Sequence, residues 1–141
     1  VGGKDGVHAP WFRTDPTEAA EFVAATGVDA LAVAVGSSHA MTSRDAKLDL
    51  ELISAIRDAV PVPLVLHGSS GVADENLTKA VEAGMTKVNI STHLNHAFTD
   101  TVREVLAANP EMVDTRKYLG AGREAVRAEV TRLLGVLLAA N

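Results

Sequence analysis

Cysteine is missing from all 141 residues. That excludes disulfides and thiolate metal sites, and leaves histidine and oxygen donors as the means of holding a metal ion. Aromatic residues are scarce, with one Trp, one Tyr and three Phe, so a core must be built from Ala, Val, Leu and Ile, as where helices pack on a parallel sheet. Basic residues are outnumbered 13 to 18, the net charge is −5, and no basic cluster occurs. This balance argues against nucleic acid and against an anionic membrane surface as partners. No apolar run approaches the roughly 20 residues of a membrane span, and no signal-peptide pattern is visible. The expectation is a cytoplasmic protein of one domain's size, large enough to bury a core. The chain opens on Val1-Gly2-Gly3 without an initiator methionine and runs at once into loop-like sequence, which reads as a piece of something longer.

What is present is organised around two histidines. The apolar run Asp29–Val35 leads into Gly36-Ser37-Ser38-His39, and Pro63–Leu66 leads into His67-Gly68-Ser69-Ser70-Gly71. The chain between them has room for one helix and the return to a neighbouring parallel strand. Adjacent strands lie roughly 4.8 Å apart, so imidazoles at corresponding strand ends can reach one metal ion. A third run, Thr86–Thr92, ends in an amide and hydroxyls suited to a phosphate or a sugar.

The rest of the pattern is consistent with alternating elements. Residues 1–15 are glycine-rich and aperiodic, and read as a mobile loop. Asp15-Pro16 starts a helix that Gly27 ends. The strand at 29–35 is nearly all apolar, as when both faces are covered. A helix follows over about 49–59, then a strand at 63–67. Asp74 caps a helix to about Ala83, and a strand runs over 86–90. A further helix covers about 93–108, and after a polar link a last one covers about 122–139, with Val126, Val130, Leu133, Leu134 and Leu137 as its buried stripe. Polar residues at the same end of three successive strands favour a (β/α)8 barrel over an open α/β sheet. Three strands cannot close a barrel. Residues 1–141 are therefore expected to be a partial TIM-barrel domain, with 1–15 as an active-site loop and 16–141 as the last βα units and a C-terminal helix. Taken alone it should expose a sheet edge and apolar helix faces.

The segments Gly27–His39, Pro63–Gly71 and Lys87–Thr92, followed by Arg116-Lys117-Tyr118-Leu119-Gly120, resemble the class II, metal-dependent ketose-bisphosphate aldolases, which include the fructose- and tagatose-bisphosphate enzymes. The resemblance covers essentially the whole chain and corresponds to the C-terminal half of a family member. It implies an aldehyde-lyase that reversibly cleaves a phosphorylated ketose to dihydroxyacetone phosphate and an aldehyde, working as a homo-oligomer on a small phosphosugar. It also implies that His39 and His67 are two of three zinc ligands, and that a monovalent cation is a further candidate ion. Gly68 and Ser70 would bind phosphate, with Asn89, Ser91 and Thr92 contacting the substrate. The third ligand and the catalytic aspartate would lie upstream of Val1. Bound zinc would polarise the ketone, and a glycine-rich turn opening a helix would offer free amides to an anion.

The sequence also departs from the family pattern. Ala40 stands where glycine often follows the first histidine, and Ser43 where a lysine is common. Asn95 occupies a position that often carries a basic residue for the second phosphate, and Ser91 a position tied to sugar preference. The loop Gly2-Gly3-Lys4-Asp5-Gly6 is shorter than the usual Gly-Gly-x-Glu-Asp, so the acid/base role is not carried over to Asp5. The first phosphate site looks intact and the second weakened. Two other readings stay open: a catalytically silent phosphosugar-binding barrel or regulatory subunit, and another metal-dependent barrel enzyme such as an epimerase. His93 and His96 are expected at a helix start, facing solvent or backing the site, and His8 and Trp11 in loop anchoring. Arg116, Lys117 and Arg123 are expected on a solvated surface or at a subunit salt bridge, and Glu124, Arg127, Glu129 and Arg132 on an exposed helix face.

Overall fold

The computed structural model describes residues 13–37 and 44–139. Residues 1–12, 38–43 (His39 among them) and 140–141 lie outside this description. Three parallel strands, β1 (Leu31–Val33), β2 (Leu64–Leu66) and β3 (Met85–Val88), form a sheet in the order β1-β2-β3. Helix α1 (Pro16–Thr26) precedes β1, α2 (Leu50–Ala59) and α3 (Asp74–Ala83) are the crossovers, and α4 (Thr92–Ala108) and α5 (Thr115–Leu138) follow the sheet.

Local chemistry explains most boundaries. Asp15 caps α1 by accepting from the backbone N–H groups of Thr17 at 2.8 Å and Glu18 at 3.1 Å, with Pro16 in the first turn where its missing N–H costs nothing. Gly27 ends the helix at φ +64°, in the left-handed region that glycine enters freely. Asp49 caps α2 through the Leu52 N–H at 3.0 Å.

Three expectations are corrected. Asp74 is the first residue of α3 rather than its cap; Ala73 holds the cap position without a side-chain bond, because the Asp74 carboxylate is engaged by Arg44 and Arg132. Helix α5 begins seven residues before the expected 122, at Thr115, with Asp114 capping it through the Arg116 N–H at 3.1 Å. Gly122 is buried against α4, and the helix runs through Gly120 and Gly122 without interruption. The predicted stripe of α5 is only partly buried: Leu133 is 4% exposed, whereas Val130 and Leu134 are 36% and 53% exposed.

The register pairs Val33 with Leu66 and Leu66 with Val88, and Ala32 with Val65 and Val65 with Lys87. Alternation therefore puts Val33, Leu64 and Leu66 on the face that packs with Ile53, Ile56, Leu77, Ala80 and Leu133 into the core. The other face carries Ala32, Val65 and Lys87. Only β2 is buried at every residue; Ala32 and Lys87 are exposed. The near-continuous apolar run of β1 thus does not mean that both of its faces are covered here, because no further element packs over Ala32 among the described residues. Among those residues no helix is long and apolar enough to cross a membrane.

Candidate active site at the strand ends

The carboxyl ends of β2 and β3 meet at one corner of the sheet. The Asn89 N–H donates to the Leu66 carbonyl at 3.0 Å, which extends the β2–β3 ladder one step beyond β3. Two-residue alternation from Val65 and Lys87 then carries His67 and Asn89 along the face away from the helix-covered core. His67 is half-buried. Its carbonyl accepts from the Ser37 hydroxyl, so the turn after β1 is tied to the end of β2.

After His67 the chain reverses sharply. Gly68 has φ +65°, a conformation that side chains disfavour, and it leads into a single 3-10 turn over Ser69–Gly71. The turn is pinned on several sides. The buried Ser69 hydroxyl donates to the Asn89 carbonyl. The Ser70 hydroxyl accepts from the backbone N–H of His93 at 3.2 Å. The Gly71 carbonyl accepts from the Ala46 N–H at 3.0 Å, and the Val72 carbonyl accepts from Arg44 Nε at 3.0 Å and Nη2 at 2.7 Å. An accepting serine hydroxyl still has its own proton to offer, so Ser70 retains a donor for an anion.

Asn89 is oriented by Lys87, whose ammonium donates to the Asn89 side-chain oxygen, leaving the amide N–H2 as the free donor end. Ser91 and Thr92 follow at the start of α4, where Ser91 occupies the cap position and makes no side-chain capping bond. The first backbone N–H groups of a helix have no partner within it, and they carry the positive end of its dipole. His67, Gly68, Ser70, Asn89, Ser91 and Thr92 therefore share one end of the sheet. His39 and Asp5 lie outside the described residues.

Behind the turn stands a chain of charges that includes Glu129 and Arg132, both expected on an exposed helix face. His93 Nε2 lies 2.7 Å from Glu129 Oε1, and Arg132 holds Glu129 with Nε at 2.9 Å from Oε2 and Nη2 at 2.7 Å from Oε1. Arg132 also pairs with Asp74, and Asp74 with Arg44. The Arg132 guanidinium, followed by His93, holds the Glu129 carboxyl down at about 2, and the same guanidinium lowers Asp74. Glu129 and Arg132 are thus not on a merely solvated face, although Glu124 and Arg127, which pair with each other at the surface, are. Arg116 and Arg123 are exposed and paired with Asp114 and Glu124, as expected of a solvated surface. Lys87, Arg44 and Asp74 were not singled out from sequence for these roles. For Lys87 a signal existed, since it shares the parity of Asn89 on one strand.

The donor chemistry of this corner suits zinc in part. His67 offers an imidazole at a strand end, while among the described residues no group of three His, Asp or Glu side chains is placed to hold a metal. A hollow of about 560 Å³ beside Arg57, Leu64, Gly84 and Met85 opens at the amino end of β2 and β3, away from His67.

Comparison with known proteins shows the family and the fold. The description of class-II fructose-bisphosphate aldolase matches residues 1–141. The YdjI aldolase of Escherichia coli K12 superposes with a TM-score of 0.79 at 37% identity, over 90% of this chain and 46% of that one. A fructose-1,6-biphosphate aldolase candidate from Coccidioides immitis gives 0.76 at 30% identity, over 99% and 50%. The fructose-bisphosphate aldolase of Campylobacter jejuni gives 0.73 at 25% identity, over 89% and 45%. The chain spans about half the length of these structures, and its three parallel strands with their helices are part of a (β/α)8 barrel. The chain belongs to the class II fructose-bisphosphate aldolase family.

Proposed function

We propose that this chain supplies one side of the active site of a zinc-dependent aldolase, which reversibly cleaves a phosphorylated ketose into dihydroxyacetone phosphate and an aldehyde. The observation that carries this reading is the meeting of an imidazole, a pinned glycine-serine turn and an oriented amide at one end of the sheet, in a chain of this family. His67 would hold the metal together with His39 and a ligand from elsewhere in the protein. When bound, zinc supplies electrophilic polarisation of the ketose carbonyl.

The chain's own residues bind and orient. Gly68 offers backbone N–H at a turn that a side chain would strain, and Ser70 offers its hydroxyl proton while its oxygen accepts from the His93 N–H. Together with the start of α4 these groups would supply the donors for a phosphate. Asn89, held by Lys87, points its amide donors toward substrate oxygens, and Ser91 and Thr92 complete the edge. Asn95, one turn into α4, brings no positive charge for a second phosphate, so we read the substrate as a ketose phosphate that need not be a bisphosphate. The enzyme would work as a homo-oligomer in the cytoplasm.

The test is a coupled triose-phosphate assay on the intact, zinc-loaded enzyme, comparing ketose 1-phosphates with fructose 1,6-bisphosphate. Chelation and His67→Ala should each lower kcat by about 10³-fold or more, the several kcal/mol a Lewis acid supplies. Ser70→Ala should mainly raise KM. Cleavage that survives chelation, or a product that is an epimer instead of a triose phosphate, would overturn the reading. A strong preference for the bisphosphate would overturn only the substrate assignment.

A further inference from the structure

We propose that Glu129, on the C-terminal helix, is a positioning residue for phosphate binding at the 68–71 turn, acting through His93. This rests on the phosphate role given to Ser70 above. His93 is bifunctional in space. Its backbone N–H reaches forward to the Ser70 hydroxyl at 3.2 Å, and its ring reaches back to Glu129 at 2.7 Å. Holding the ring therefore holds the first turn of α4, and the first turn of α4 sets where the Ser70 oxygen sits and in which direction its proton is free to point.

Glu129 is suited to this because it is itself fixed. Its carboxylate is 19% exposed and accepts from both Nε and Nη2 of Arg132, the planar fork that matches a carboxylate. Arg132 passes on to Asp74, and Asp74 to Arg44, whose guanidinium ends on the Val72 carbonyl. The alternating charges Glu129, Arg132, Asp74 and Arg44 thus run behind the turn and grip it at both ends, at Ser70 through His93 and at Val72 through Arg44. A carboxylate so near an anion site would repel the ligand if it were unpaired. Here its charge is neutralised by Arg132, which leaves it free to orient. A surface pair would have no reason to be joined to the turn at all; this one connects a helix 58 residues away in sequence, from Asp74 to Arg132, to the residues that face substrate. Small displacements of binding groups carry large kinetic penalties, so a brace of this kind should be read out in substrate affinity.

The experiment uses the intact, zinc-loaded enzyme with Glu129→Ala, Glu129→Gln, His93→Ala and the Glu129→Ala/His93→Ala double variant. Steady-state kinetics with the ketose phosphate, the Ki of inorganic phosphate as a competitive inhibitor, and thermal melting are measured for each. Glu129→Ala and His93→Ala should each raise KM and the phosphate Ki roughly tenfold, in line with losing one hydrogen bond to a charged group, with kcat changed less than twofold. The double variant should be no worse than the singles, since both break one link, and Glu129→Gln, which keeps an acceptor for the ring, should recover most of the affinity. A residue that only stabilised the fold would lower the melting temperature and leave KM and Ki unmoved. That result, or additive effects in the double variant, or no rescue by glutamine, overturns the proposal. If Glu129→Ala does not fold, His93→Ala and Glu129→Gln carry the same comparison. A wild-type protein that neither cleaves the ketose phosphate nor binds phosphate would instead sink the functional reading, and this inference with it.

Discussion

Helix α5 contains three glycines whose surroundings differ, and alanine at each gives opposite expectations. A Cβ built at Gly120 or Gly135 meets nothing within 4 Å, whereas at Gly122 it would lie 2.7 Å from both Cδ2 and Cε2 of Phe98 and 3.0 Å from Val102 Cγ2. Alanine gains about 0.8–1 kcal/mol over glycine in a helix interior. With nothing opposing it, Gly120→Ala and Gly135→Ala should each stabilise by roughly 0.5–1 kcal/mol, part of it through the unfolded chain. At Gly122 the ring edge must move, and Val102 closes one direction of escape. Overpacking of this kind costs about 1–3 kcal/mol, so the net effect should be a destabilisation of about 1 kcal/mol. The melting temperature should rise by a few degrees for the first two and fall by about 4 °C for the third, the response expected near this chain size. Urea and thermal unfolding followed by circular dichroism measure this. Adding Phe98→Leu to Gly122→Ala should restore part of the loss, a coupling that a double-mutant cycle isolates. If Gly122→Ala stabilises as much as Gly135→Ala, the close approach of α4 and α5 is not real.

Two further outcomes are expected. Glu129, held at about 2 against an ordinary 4.5, has its pKa depressed by folding. Its contribution is therefore fully present above about pH 4.5 and is lost as pH falls toward 2; linkage gives at most about 3 kcal/mol, which screening at the 41%-exposed Arg132 cuts to about 1 kcal/mol. Acid titration of stability for wild type and Glu129→Gln should show a constant gap above about pH 5 that closes as pH falls from about 4.5 to 2; a gap that stays constant across that range would contradict it. Asp15→Ala should cost about 1 kcal/mol by removing the cap of α1, read as a drop in the urea midpoint; no change would mean the cap frays in solution.

Much of the candidate site could be read from the chain itself because its chemistry is local. His67, Gly68 and Ser70 lie within four residues of one another, as do Asn89, Ser91 and Thr92; each group follows a strand whose ends spacing placed to within about two residues. Asp15 and Gly27 likewise announce the ends of α1. The errors arose where a residue's partner is distant in sequence. Glu129 and Arg132 have the spacing of a solvated helix pair, and nothing nearby reveals that His93 and Asp74 wait across the fold. Asp74 has the form of a cap, yet two guanidinium groups claim its carboxylate. The helix expected from about 122 in fact starts at Thr115 and runs through Gly120 and Gly122, and only the ring of Phe98 across the fold explains why residue 122 is small.

The sequence by itself determined the alternation of strands and helices, the end of the sheet where polar residues gather, and the family resemblance, because hydrophobic period, caps and contiguous motifs are written in neighbouring residues. The tertiary structure decided which of those polar residues are braced and by what. Hydrogen bonds and ion pairs between elements depend on crossing geometry and register, which sequence spacing does not encode; the link from the C-terminal helix to the 68–71 turn exists only because α5 packs beside α3 and α4.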